Sequence, residues 1–153
     1  MKKIIIAILI FLPAFAMAQN FINVPIDSLT NLLKQVEIST DLKLNLRQRN
    51  DSIENYLFRD DTWFVKVYVN MKNEKTMEGV KIITGPNLVD YITISGPTNL
   101  MEGFLNNYLK KCSKNISQSD RYVQTEKWKA SIRDYEIINL NGEKWGGSAI
   151  TIE

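Results

Sequence analysis

Trp63, Val65, Val67 and Val69 alternate with Phe64, Lys66, Tyr68 and Asn70, the period of two that a strand shows when it buries one face. Past Gly96 and Pro97 the period changes. Leu100, Met101, Phe104, Leu105, Tyr108, Leu109 and Cys112 recur at the i, i+1, i+4, i+5 spacing of one helix face. A chain holding both patterns has to lay the helix on the sheet, because either element alone leaves an apolar stripe in water. Between them, residues 80–84 and 88–95 form two further apolar blocks. Residues 71–78 read as a charged connector, and Gly85-Pro86-Asn87 reads as a turn, because proline presets its second position and asparagine tolerates the left-handed region. The economical reading is a meander.

The N-terminus carries an address. Lys2 and Lys3 precede the unbroken apolar run 4–12, and Ala16-Met17-Ala18 gives the small-x-small cleavage pattern of a secretory signal peptide. The apolar run 4–18 falls short of the ~20 residues that span a bilayer, so no membrane span is expected in the mature form. A lipoprotein anchor needs a cysteine at the cleavage point, and the only cysteine is Cys112. The expected division is therefore a leader, 1–18, and one α+β domain, 19–153, beginning at Gln19 and delivered to the periplasm or the cell exterior.

Without the leader, the 19 Lys and Arg lose Lys2 and Lys3 and become 17, against 17 Asp and Glu. A balanced chain projects no global field for nucleic acid or an anionic membrane, and no nucleic-acid partner is expected. One cysteine cannot form an internal disulfide, so packing holds the domain. Cys112 extends the helix stripe and reads as a small buried hydrophobe.

Elsewhere, Ile26, Leu29, Leu33 and Val36 define an amphipathic helix over 27–37, ended by Ser39-Thr40-Asp41. Residues 42–49 fit strand or helix. Asp51-Ser52-Ile53-Glu54 resembles a capping box and favours a helix over 51–58. Residues 113–120 look like a loop, and 121–130 fit either class. Asn141-Gly142 lies between two strand-like runs and predicts a two-residue hairpin loop with Leu140 opposite Glu143 and Ile138 opposite Trp145. Gly146-Gly147 marks a bulge or a close backbone approach. The expected fold is α+β: one antiparallel sheet of about four to six strands, two or three helices on one face, and a C-terminal β-hairpin.

The chemistry is defined by absences. There is no histidine, which removes Ser-His-Asp and Cys-His machinery and nearly all zinc sites. The seven glycines form neither G-x-G-x-x-G nor a P-loop, and no S-x-x-K occurs. No cofactor or metal is expected: Asn139-Leu140-Asn141-Gly142-Glu143 has side-chain carbonyls where a calcium loop needs acids. A carboxylate hydrolase would need a pair such as Asp60-Asp61 or Asp134 and Glu136. Neighbours on a strand point to opposite faces, and nothing in the sequence places a cleft around the second pair.

Recognition is the remaining class. Trp128, Trp145, Tyr122 and Tyr135 are the candidate ligand-binding residues, because exposed rings on a sheet can hold a sugar or a protein partner. Trp63 alternates with three valines and reads as core. The leader, the glutamine after it and the Ile/Lys/Asn-rich composition resemble those of short exported proteins of Gram-negative bacteria, and no motif in 19–153 adds to that likeness. The expectation is a non-enzymatic interaction module of the bacterial envelope, using the second sheet face or the edge of the C-terminal hairpin. The alternatives are a carbohydrate-binding domain using exposed Trp and Tyr, and a histidine-free carboxylate hydrolase.

Overall fold

The structure is a computed structural model that describes residues 19–153, apart from the side chains of 73–77 and 81–86. The expected leader, 1–18, lies outside the described residues. After a 3-10 turn at Ile26–Leu29 comes α1 (Thr30–Thr40), then β1 (Lys43–Arg49), β2 (Ile53–Arg59), β3 (Phe64–Met77) and β4 (Val80–Pro97). Helix α2 (Thr98–Phe104) runs on as a π-helical turn, Leu105–Leu109, and is followed by β5 (Ser117–Ser119), β6 (Tyr122–Gln124), β7 (Lys129–Ile138) and β8 (Lys144–Ile152). The strands form one sheet in the order β1-β2-β3-β4-β8-β7-β6-β5, and every neighbouring pair is antiparallel.

This corrects the expected α+β domain of about four to six strands with two or three helices. The molecule is mostly an eight-stranded sheet with two short helices. The added strands come from stretches whose period was hidden. In β2 the buried positions are Glu54, Tyr56 and Phe58, a clean alternation, but its first member is a glutamate. Arg47 Nε on β1 bonds one Glu54 carboxylate oxygen, and Arg49 Nε lies 3.9 Å from the other. The apparent capping box is a turn: Asn50 Oδ1 accepts the N–H groups of Ser52 (3.1 Å) and Ile53 (2.8 Å).

Strands β3 and β4 form one long hairpin, and this replaces the charged connector and the meander. Its tip is Glu78-Gly79, both with positive φ. The Gly85-Pro86-Asn87 signal is an irregularity inside β4. Between the pairs Lys72↔Leu88 and Glu74↔Ile83, β3 advances two residues and β4 five, so the turn-forming residues are looped out of register without reversing the chain.

One set of strand positions builds the core. Val65, Val67 and Val69 of β3, Ile92 and Ile94 of β4, and Ile150 and Ile152 of β8 join Met101, Phe104, Leu105 and Leu109 of the α2 region and Leu32 and Val36 of α1. Helix α2 packs on β4 and β8, and α1 packs on α2. Gly96 lets β4 lie close against the side chains of β3: a Cβ there would stand 2.7 Å from Val65 Cγ2. The opposite positions, among them Asn55, Lys66 and Arg133, are exposed.

The terminal hairpin is present with a different register. Ile137 pairs with Trp145 and Ile138 with Lys144. The loop is 139–143: Asn139 N–H donates to Glu143 O (2.9 Å) and Gly142 N–H to Asn139 O (3.0 Å). Asn139 Oδ1 accepts the N–H groups of Asn141 (3.0 Å) and Glu143 (2.9 Å). Only Gly142 needs positive φ, at 83°. The buried Asn139 side chain makes the longer loop, and the one-residue slip turns Ile138 away from Trp145. No bulge occurs at Gly146-Gly147, where pairing is continuous. Gly147 is the close approach, since a Cβ there would lie 2.4 Å from Ile137 Cγ2 and 3.2 Å from Tyr135 Cζ.

Candidate functional site

The outer edge of β7 is only partly covered. Strand β6 pairs with Lys129 to Ser131 and stops there. Arg121 closes the next position: its carbonyl accepts Ile132 N–H (2.9 Å), and its guanidinium donates to Ile132 O (3.3 Å). In an antiparallel ladder, outward N–H and C=O groups recur at every second residue, so the row continues through Asp134, Glu136 and Ile138. Among the described residues, no strand pairs with that side of 133–138. The stretch is as long as an ordinary strand.

Apolar side chains gather at the same place. Of the nine exposed large hydrophobics among the described residues, four lie on this hairpin: Tyr135 (40% exposed), Ile138 (57%), Leu140 (43%) and Trp145 (49%). Tyr135, Ile137 and Trp145 share one face, because a sheet places directly paired residues on the same side and Ile137 pairs with Trp145. Tyr135 and Ile137 lie against the bare Gly147 backbone.

Two turns fix Trp145. Asp60 Oδ1 accepts the N–H groups of Thr62 and Trp63, both at 2.7 Å, and Leu140 N–H donates to Thr62 O at 3.2 Å. The loops are thereby stapled, and Trp63 meets Trp145 edge-on at 5.0 Å between centroids and 84° between planes. Trp145 separates two hollows. One, of about 510 Å³, is lined by Trp63, Leu42, Thr98 and Leu100 among others. The other, of about 470 Å³, is lined by Asp134, Tyr135, Glu136, Lys144, Trp145 and Gly146.

Each acid here has a partner. Asp134 accepts from Ser148 Oγ at 2.7 Å and from Arg121 at 2.9 Å. These two partners, Ser148 first, hold its carboxyl below the usual carboxylate range. Glu136 lies 3.0 Å from Lys144. Backbone N–H groups, that of Trp63 first, likewise hold Asp60 low. General acid catalysis at neutral pH calls for a raised carboxyl, and Asp60 and Asp134 are shifted the other way. Among the described residues, no group of three His, Cys, Asp or Glu could hold a metal ion, and no helix is long and apolar enough to cross a membrane.

The four candidate residues separate. Tyr135 and Trp145 come together on the hairpin. Trp128 is buried at 3% exposure, packs on Phe21 at 5.1 Å, and donates its indole N–H to Gln19 O at 2.8 Å. Tyr122 is half-buried on β6, its hydroxyl 2.8 Å from Ser117 Oγ. Trp63 is half-buried against the core yet also forms the back of the Trp145 site. Ile138 and Leu140 also lie at this surface, although the sequence reading singles out only aromatic residues; in the observed register Ile138 pairs with Lys144. A count of the hydrogen-bonding demands of Asn139 is the signal that would have found them. Comparison of the chain with protein-family models, curated proteins and solved structures finds no match, so the functional reading rests on this geometry.

Proposed function

We propose that the chain is an exported, non-enzymatic binding module that takes an extended segment of a protein partner as an added antiparallel strand on the outer edge of β7. The observation that carries this reading is a coincidence: a strand-length row of outward backbone groups at 133–138 lies where four large apolar side chains are exposed. Strand addition draws affinity from main-chain hydrogen bonds and specificity from alternate side chains. On one face the added strand meets Tyr135 and Ile137, and on the other Asp134, Glu136 and Ile138. A segment alternating apolar with basic or polar residues suits this edge.

The acids also argue against a second copy as the partner. Outward residues pair with outward residues, so the two centred registers of this edge with itself place Glu136 opposite Glu136, or Asp134 opposite Glu136. Like charges directly opposite are destabilising. The carbohydrate alternative loses its pair of platforms, since Trp128 is buried and Trp145 stands edge-on to Trp63.

A displayed library of extended peptides tests the reading. Binders selected on the protein are expected to alternate apolar with basic or polar residues. Glu136→Pro removes one outward N–H where an edge tolerates proline, and it should weaken them about threefold to tenfold, one hydrogen bond's worth. Glu136→Gln should bind nearly as the parent does. Binding of a glycan array that is lost in Trp145→Ala and untouched in Glu136→Pro would replace strand addition with the sugar reading.

A further inference from the structure

Gln19, the first residue after the expected leader, is held by four hydrogen bonds to residues far along the chain. Its N–H donates to Cys112 O at 3.3 Å. Its carbonyl accepts the Trp128 indole N–H (2.8 Å) and the Ser113 hydroxyl (3.0 Å). Its side-chain Oε1 accepts the Tyr108 hydroxyl at 2.7 Å. The residues that follow are equally committed: Phe21 and Ile22 are buried, and Asn23 and Val24 exchange backbone bonds with Val89. A buried indole N–H left without an acceptor is costly, so the Trp128 partner sets the register of the segment at Gln19 and at no neighbour.

We propose that this is a docking site for the chain's own processed N-terminus, which holds Gln19 in open-chain form. The proposal rests on the leader reading, with cleavage after Ala18. Cleavage leaves an α-amine where the Gln19 N–H now meets the Cys112 carbonyl, in the turn that ends the α2 region. The C-terminal end of a helix favours a cation, and the amine is worth more there as ammonium. A hollow of about 220 Å³ opens beside Gln19, so the charge keeps contact with water.

An N-terminal glutamine otherwise cyclises. The neutral α-amine attacks its own side-chain Cδ, a C–N bond forms, the bond to the amide nitrogen breaks, and ammonia leaves. Docking opposes each requirement. The amine is held as ammonium on Cys112 O, and Tyr108 pins the carboxamide by its oxygen; that bond would also stabilise the oxyanion of attack, but it can act only on a neutral amine, which the dock withholds. The site thus preserves a free glutamine terminus that the unfolded chain would lose.

The exported product of the full-length chain is purified, and its intact mass is followed over time at neutral pH, folded and in urea. The expected product spans 19–153 and retains its ammonia when folded, losing it at least about tenfold faster in urea. Tyr108→Phe keeps the ring and removes the hydroxyl. It should raise the folded-state rate about threefold to tenfold and leave the rate in urea unchanged. Ser113→Ala serves if Tyr108→Phe fails to fold, with the same expectation. Equal rates in folded and unfolded chains, or no effect of either variant, overturn the proposal while leaving the leader reading intact. A product beginning elsewhere than Gln19 overturns the leader reading and, with it, the docked terminus.

Discussion

At the scale of single residues, Gly147 and Cys112 each govern a property that a solution measurement can reach. Gly147 lets Tyr135 and Ile137 lie flat across β8, and an added Cβ would stand 2.4 Å from Ile137 Cγ2. Gly147→Ala overpacks a buried contact, and urea unfolding should show a loss of about 1 to 3 kcal/mol. Gly146→Ala is the control, because its Cβ would find its nearest neighbour, Thr98 Oγ1, at 3.5 Å. Equal costs at the two positions would mean that the flat packing on Gly147 is not what holds Tyr135. Cys112 makes a claim about pH. Burial first, against hydrogen bonds that act the other way, lifts its thiol from the ordinary 9.0 to about 11. The folded chain therefore holds the thiol proton more tightly than the unfolded chain. The stabilisation is complete below about pH 9 and is lost as pH climbs toward 11. A thiol reagent at pH 8 should label the folded protein slowly and the urea-unfolded protein fast. Rapid labelling of the folded protein would show Cys112 to be an accessible thiolate.

The element scale explains what was legible in the sequence. The pattern of β3 and the stripe of the α2 region were readable because, among the described side chains, every buried position in them is apolar. Strand β2 was not, because Glu54 occupies a buried position and takes its partners, Arg47 and Arg49, from a strand whose own class was open. Gly85-Pro86-Asn87 carries turn chemistry, yet the strand continues through it, held in part by Asn87 Nδ2 donating to Asp51 O at 2.7 Å. Local composition marked an irregularity and could not tell a reversal from a looped-out segment. In the hairpin, Asn-Gly announced the loop, and Asn139 set its length. Of the candidate site, Tyr135 and Trp145 were legible as rings on a strand. Trp128 was open between core and surface in the sequence, because its neighbours Lys127 and Lys129 are polar; they are exposed while it turns inward to Gln19. Asn139→Ala removes the acceptor for two loop N–H groups and should cost about 1 to 2 kcal/mol in thermal or urea unfolding. Asn139→Asp keeps that acceptor but turns a carboxylate onto Glu143 Oε2, 3.0 Å from the present Asn139 Nδ2, so it is compared in a Glu143→Gln background, where it should cost less than Asn139→Ala. If the two variants cost the same, the register is held by strand pairing and not by the loop.

At the scale of the whole molecule, the sheet is covered unevenly, and its three tryptophans sample the difference. Trp128 is buried under the N-terminal segment, Trp63 is half-buried, and Trp145 has 49% of its surface exposed. A sheet this wide, with helices packed only on part of it, must offer uncovered backbone somewhere, and the β7 edge is where that backbone and exposed rings coincide. Iodide should therefore quench one component of the tryptophan emission efficiently and leave the remainder blue-shifted and protected. Trp145→Phe should abolish most of the quenchable component and leave the protected emission in place. A peptide added as a strand along 133–138 lies next to Ile137, whose paired neighbour across the ladder is Trp145, so binding should also protect that component. The two measurements together locate the site. Quenching that survives Trp145→Phe would place the accessible indole elsewhere, and peptide binding without protection would move the partner off this hairpin.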